Sequence, residues 1–287
     1  MKNVKLLSKA LALAGLFSVA STAFANQTLS VAASVTPHAE VIKLVKDDLK
    51  KLGVELKVVE FSDYVQPNVV VAEKYVDINF YQHLPYLYNF NRERGYDLVP
   101  AFPIFITPIG VYSKKYKSLS EVKNGDVVAI PNDPTNGARA LLILQSAGLI
   151  KLKDPNNINA TPRDIAENPK KLKFKEIEAP NLPRVLNSVD LDVINTNYAL
   201  PAGLSPQKDA IAIEPADSPY ANWVVTRPDN ANAETVAKLK QVLYTKKVYD
   251  WILTKYNGAV VPAFCPLDVK VPDCKQAKLL PPPAAKK

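Results

Sequence analysis

Ile130-Pro131-Asn132-Asp133-Pro134-Thr135-Asn136-Gly137-Ala138-Arg139 closes one apolar run and opens a second with a different period. Upstream, Asp126 to Ile130 reads as a buried strand. Downstream, apolar positions at helical spacing predict a helix over Thr135 to Ala147, stopped by Gly148. Between them Asp133 is suited to cap the helix, and Pro134 to its first turn, where no backbone N–H is needed. Strand, tight turn and helix in that order form the repeating unit of an α/β sheet, and the same unit recurs outward in both directions. On the N-terminal side, the strand candidate Leu29 to Val35 precedes a helix opened by Thr36-Pro37, whose apolar positions are Val41, Ile42, Val45, Leu49 and Leu52. There follow strand Val54 to Val58, helix Pro67 to Lys74, strand Asp77 to Tyr81, helix His83 to Arg94 and strand Leu98 to Phe102. On the C-terminal side lie strand Leu172 to Ile177, helix Leu182 to Asn187, strands Leu191 to Ile194 and Trp223 to Thr226, and helices Ala233 to Tyr244 and Val248 to Tyr256. Strands separated by helices imply an α/β fold with largely parallel sheets.

Two series of such units, with crossings near Phe105–Pro108 and Trp223–Thr226, divide the body into two lobes: 26–106 with 223–264, and 107–222. A cleft between lobes is a common place for a small-molecule site. Residues 265–287 are rich in Pro and Lys and read as a flexible tail. The first 25 residues carry Lys2, Lys5 and Lys9, an apolar run from Leu11 to Val19, and Ala23-Phe24-Ala25, which together read as a removable export signal. That apolar run is too short to span a bilayer, which needs about 20 residues. With Asn26 following the cleavage site, no Cys is available there for lipid attachment, and the expectation is an unanchored protein in the periplasm or outside the cell.

The formal charge of +8 sits mostly in the flanks, with +3 from the leading lysines and a net +3 from Pro266 to Lys287. The body keeps +2, with no basic stripe for a phosphate backbone, so nucleic acid is not an expected partner. Cys265 and Cys274 are the two cysteines. In an exported protein a local disulfide is favoured over a metal site, because zinc needs four N or S ligands and neither His38 nor His83 is close in sequence. No metal or other cofactor is expected. There is no Gly-x-Ser-x-Gly elbow, phosphate-cradling Gly-rich loop or His-Glu-x-x-His, so the common catalytic signatures are missing and no enzyme is expected.

Asn136 and Arg139, three apart on one helix face, could hold a carboxylate beside the N–H groups of the helix start. A capped helix with a surface Arg fits those residues equally well. Asn79-Phe80-Tyr81-Gln82-His83-Leu84-Pro85-Tyr86, with Tyr64 upstream, places rings at the C-terminal end of a strand, where open α/β sheets bind ligands. Packed core is the competing reading. Asn195 and Asn222 could be amide clamps or turn formers.

Four stretches in order and register resolve these alternatives: Asn132-Asp133-Pro134-Thr135-Asn136, Glu178 to Arg184, Val193 to Ala199, and Ser218 to Asn222. Together they resemble the NlpA-type family of methionine-binding components of ABC importers, over Leu29 to Phe264. The resemblance implies a two-lobed type II periplasmic-binding-protein fold and a monomer that delivers an amino acid, methionine foremost, to an ABC permease in the inner membrane. It further implies that Asn136 and Arg139 hold the α-carboxylate, and that Asn195 and Asn222 fix the ammonium and carboxylate ends. Tyr64, Tyr81, His83 and Tyr86 then line the side-chain slot, and a thioether gains from contact with aromatic rings. The chain departs from the family pattern in lacking the lipid-bearing Cys, in Tyr81 where Phe is expected, and in its Cys-bearing tail. A surface antigen or adhesin that keeps the fold, a binder of another amino acid, and an enzyme acting on amino acids are the competing readings.

Overall fold

The computed structural model describes residues 27–215 and 218–282. The inferred export signal therefore lies outside the described residues. Thirteen strands follow in chain order: β1 Gln27–Ser34, β2 Val54–Phe61, β3 Ile78–His83, β4 Val99–Ile106, β5 Gly110–Tyr112, β6 Val127–Pro131, β7 Lys151–Leu152, β8 Ile165–Glu167, β9 Lys173–Ile177, β10 Leu191–Ile194, β11 Ala210–Ile213, β12 Ala221–Thr226 and β13 Val261–Pro262. They form a six-stranded sheet ordered β13-β4-β12-β3-β1-β2, a five-stranded sheet ordered β11-β5-β10-β6-β9, and the small pair β7-β8.

Each large sheet is the centre of one lobe. In the first, helices Glu234–Leu243 and Lys246–Tyr256 cover one face, where Phe80, Phe105 and Val224 pack with Val41, Ile42, Leu49 and Leu239. The opposite face buries Trp223 and Val225 against Val71, Leu84 and Leu87. In the second lobe, Val128, Ile130, Leu191 and Val193 meet Leu141 and Leu144 of helix Pro134–Ser146, while the reverse face carries Tyr112, Ala129 and Ile194 under Leu182 and Leu186. Alternate residues of each strand thus feed two separate cores, as side chains alternating across a pleat require.

The sheets are less parallel than the alternation of elements predicts. β1 runs parallel to β2 and β3, and β6 parallel to β9 and β10, but β12 is antiparallel to both β3 and β4, and β5 antiparallel to β10 and β11. β4, β5 and β12 lie next to the crossings: the chain leaves the first lobe through β4 and returns through β12, so these two run oppositely, and β13 adds a further antiparallel pairing on β4. β12 starts at Ala221, and the expected boundary between 222 and 223 falls inside it. The single helix expected from Thr36 onward is broken, with Glu40–Leu44 and Lys46–Lys51 separated at Val45.

The segment read as a flexible tail packs as far as it is described. Cys265 and Cys274 are joined in a disulfide. Beyond it, the Ala277 N–H donates to the Ala263 carbonyl at 2.9 Å, and the Tyr88 hydroxyl to the Leu280 carbonyl at 2.6 Å. Ala277 and Leu280 also pack on the first-lobe core. Pro and Lys dominate its composition, but these few apolar side chains have an apolar face beside them to cover.

Candidate functional site

The C-terminal ends of β3, β6 and β10 and the N-terminal end of β12 converge between the lobes. They surround a small hollow lined by Tyr64, Tyr81, Gln82, His83, Tyr86 and Asn222 from the first lobe. Thr107 on the crossing, and Asn136, Arg139, Asn195 and Asn197 of the second lobe, complete the lining. All eight residues singled out from sequence meet here. Sequence reasoning left out Gln82, Thr107 and Asn197, although Gln82 and Asn197 stand inside stretches quoted above.

Local structure explains each placement. β3 ends at His83, which caps helix Leu84–Arg94: its Nδ1 accepts the Tyr86 N–H at 3.2 Å. With Nδ1 an acceptor, a neutral ring carries its proton on Nε2, which donates to Asn136 Oδ1 at 3.1 Å. Burial, then the charge of Arg139, pushes the His83 pKa down to about 3, so the ring is neutral. On the other side of the hollow, Asp133 caps helix Pro134–Ser146 through the Asn136 N–H at 2.9 Å. Gly137 in the next position is required by a close approach: a Cβ there would lie 2.9 Å from the Pro131 carbonyl oxygen. That contact seats the first helical turn directly on the end of β6.

Asn136 is tied to three neighbouring side chains. Its Nδ2 donates to both Asp133 oxygens at 3.0 Å, and its Oδ1 accepts from His83 and, at 3.0 Å, from Asn195 Nδ2. The amide is engaged on both sides and ties Asp133 to His83 and Asn195. Arg139 is likewise no surface residue. It is buried, its Nε donates to Glu214 Oε1 at 2.8 Å, its Nη2 donates to Glu214 Oε2 and to the Thr107 carbonyl, and its guanidinium lies 4.4 Å over the Tyr220 ring. Burial acts to lower its pKa, but the Glu214 charge and hydrogen bonds outweigh that and raise it. Nη1 makes no hydrogen bond among the described residues. Glu214, 75 positions away in sequence, carried no local signal that could have identified it.

Several polar atoms in and around the hollow lack partners. Asn195 Oδ1, Asn197 Nδ2 and the Tyr81 hydroxyl are buried and unbonded. Buried polar groups are normally paired, because an unpaired one costs about 1–3 kcal/mol. An acceptor, an amide donor and a guanidinium edge around one space suit a ligand that brings both signs of charge. The tyrosines form a cluster beside them, with Tyr64 5.9 Å from Tyr86 and 6.1 Å from Tyr81 between ring centroids. Tyr64 also bridges the lobes: its hydroxyl donates to Asn197 Oδ1 at 2.6 Å, while Tyr198 returns a bond to the Ser62 carbonyl at 3.0 Å. Burial pushes the Tyr64 and Tyr81 hydroxyls well above their ordinary pKa, so both are protonated donors. Among the described residues, no three His, Cys, Asp or Glu side chains are grouped to hold a metal ion.

Two α/β lobes, two crossings and a polar hollow at the lobe interface define the two-lobed periplasmic-binding fold. The chain belongs to the NlpA lipoprotein family, whose pattern it matches over residues 29–264. It is 48% identical over 225 residues to the D-methionine-binding lipoprotein MetQ of Escherichia coli (strain K12), covering 78% of this chain and 82% of that one. Outer membrane lipoprotein 3 of Mannheimia haemolytica is 43% identical, covering 91% of this chain and 99% of that protein. Among solved structures, a nutrient binding protein from Burkholderia cenocepacia bound to methionine superposes with a TM-score of 0.80 at 47% identity, covering 82% of this chain and 100% of that one. These names correct one expectation. An unanchored, freely diffusing product was inferred from Asn26 at the cleavage site, but the family and its members are lipoproteins, which implies lipid anchoring. The inference rested on one residue outside the described part, and the start of a chain does not exclude an anchor.

Proposed function

We propose that this protein is the substrate-binding component of a methionine ABC importer, closing its two lobes on methionine and presenting it, as a monomer, to the permease. Binding, not turnover, is its task. The observation that carries this reading is the set of unpaired buried groups beside the ring cluster: Asn195 Oδ1 and Asn197 Nδ2, with Arg139 Nη1 at the same hollow. In this reading Arg139 Nη1 and the Nδ2 groups of Asn222 and Asn197 take the α-carboxylate, and Asn195 Oδ1 takes the ammonium. Tyr64, Tyr81, Tyr86 and the face of His83 enclose the thioether, where each sulfur–aromatic contact contributes about 0.3–1.5 kcal/mol. Asn136 supports the site from behind by fixing His83 and Asn195. In this reading the crossing at 107–109 flexes as the lobes close.

The test is thermal unfolding with L-methionine, D-methionine and other amino acids. A ligand bound only by the folded state stabilises it by about 4 kcal/mol at a thousandfold excess over Kd. Melting should therefore rise with the logarithm of methionine concentration. No rise with either hand of methionine would refute the reading. A rise with a different amino acid alone would support binding and refute the choice of ligand.

A further inference from the structure

An asparagine can turn either its oxygen or its nitrogen toward a ligand, and its neighbours decide which. Asn222 Oδ1 lies 2.8 Å from Nε2 of His38, a residue in the bend after β1 that does not line the hollow. The His38 ring is buried between Phe80 and Phe105, with centroids 4.8 and 4.9 Å away. Burial, opposed by the bond to Asn222, pushes its pKa down to about 4, so the imidazole carries a single N–H.

Only one arrangement of that proton is consistent with the surroundings. Nδ1 is buried and has no partner, while Nε2 faces Asn222. With the proton on Nε2, His38 donates to Asn222 Oδ1, and Asn222 Nδ2 donates to the Tyr220 carbonyl at 3.2 Å. The reverse fails twice. A proton on Nδ1 would be a buried donor with no acceptor, and a turned Asn222 would place two carbonyl oxygens 3.2 Å apart with no hydrogen between them. The bend itself is fixed, since the Tyr256 hydroxyl donates to Glu40 Oε2 at 3.1 Å and the Thr36 hydroxyl to Glu40 Oε1 at 2.6 Å.

The geometry points to His38 as a positioning residue: it clamps Asn222 Oδ1, so that this amide presents nitrogen to the hollow and reads the α-carboxylate. Asn195 is held the opposite way. Asn136 takes its Nδ2 and leaves Oδ1 as an acceptor. Two residues of one type thus show opposite ends to the ligand, and the pair sets the direction in which a zwitterion lies across the cleft. This inference rests on the amino-acid reading of the hollow.

A double-mutant cycle measured by calorimetry with L-methionine tests it. His38→Phe keeps the ring stacking and removes the donor, and should weaken binding roughly ten- to a hundredfold. Asn222→Ala should weaken it comparably. The double variant should bind no more weakly than Asn222→Ala alone, because the His38 effect passes through that amide. His38→Gln, whose amide nitrogen reaches the position of Nε2, should bind within a few-fold of the wild type. Losses that multiply in the double variant, or a His38→Phe affinity equal to wild type, would overturn the positioning role while leaving the ligand reading intact. If His38→Phe does not fold, His38→Leu carries the same comparison. A wild-type protein that does not bind methionine removes the site reading, and this inference with it.

Discussion

Asp192 gives the most exposed prediction of stability, although it is among the most buried residues. It lies in the middle of β10 with Tyr112 and Ala129 opposite it on the neighbouring strands, on the sheet face covered by Leu182 and Leu186. Neither carboxyl oxygen has a hydrogen-bond partner. Burial pushes its pKa from the ordinary 3.8 up to about 8. The folded protein therefore keeps this proton up to about pH 8, whereas the unfolded chain releases it near pH 4. The group costs nothing through titration below pH 4, and stability falls as pH climbs from there toward 8. Between pH 4 and 7 the loss amounts to roughly 4 kcal/mol, at about 1.4 kcal/mol per unit.

Asp192→Asn keeps the shape of the side chain and abolishes its titration. Ligand-free wild type and variant should be melted side by side from pH 5 to 8. The difference between them should widen steadily in the variant's favour with rising pH, reaching on the order of 10 °C, at about 2–4 °C per kcal/mol for a chain of this size. Other titrating groups are common to both proteins and cancel in the difference. A gap that stays constant across the range would show that the buried carboxyl is ionised at no cost, and the argument would fail. Methionine affinity should be the same in both, since the Asp192 side chain does not line the hollow.

Glu214→Leu should destabilise the protein by about 3–5 kcal/mol in guanidinium unfolding, because it leaves Arg139 buried and uncompensated. Combining it with Arg139→Met should recover most of that loss and still abolish methionine binding; a double variant as unstable as the single one would contradict the pairing. Gly137→Ala should cost about 1–3 kcal/mol by pushing the helix off the Pro131 carbonyl. It should also weaken ligand binding, since Asn136 moves with that turn; unchanged melting would show that the close approach is relieved at no cost.

The parts of this architecture legible in the sequence are those written in local patterns. The spacing around Ile130 to Arg139 predicts a strand, a cap and a helix, and the chain forms β6 and helix Pro134–Ser146 within a residue of those limits. β10 coincides with its predicted range. What a strand's neighbours are is not local, and so the antiparallel pairing of β12 with β3 and β4 was not visible. Site residues divide in the same way. Tyr64, Tyr81, His83, Tyr86, Asn136, Arg139, Asn195 and Asn222 do meet, but which atoms of each are free depends on partners from elsewhere in the chain. Asn136 is engaged by Asp133 and Asn195, and Arg139 by Glu214. Asp133 looked from sequence like a cap and nothing more; it is that cap, and its two oxygens also fix the Asn136 amide.

The Arg139–Glu214 pair also bears on why the cleft suits an amino acid better than a simple anion. Arg139 is the one charged residue lining the hollow among those described, and Glu214 already neutralises it. Both histidines are held neutral by burial. A ligand with a carboxylate alone would bring a net negative charge into a buried, charge-balanced space, and burying an uncompensated charge costs several kcal/mol. A zwitterion brings no net charge. In the proposed pose its carboxylate meets Arg139 Nη1 and the amide donors, its ammonium meets Asn195 Oδ1, and neither end displaces the buried ion pair. In the proposed reading, closing the lobes on the ligand removes water from these groups and pairs Asn195 Oδ1 and Asn197 Nδ2 with its charged ends. Selectivity for the α-amino acid backbone and the coupling of closure to binding then have a single physical origin, with the tyrosine-lined slot left to discriminate among side chains.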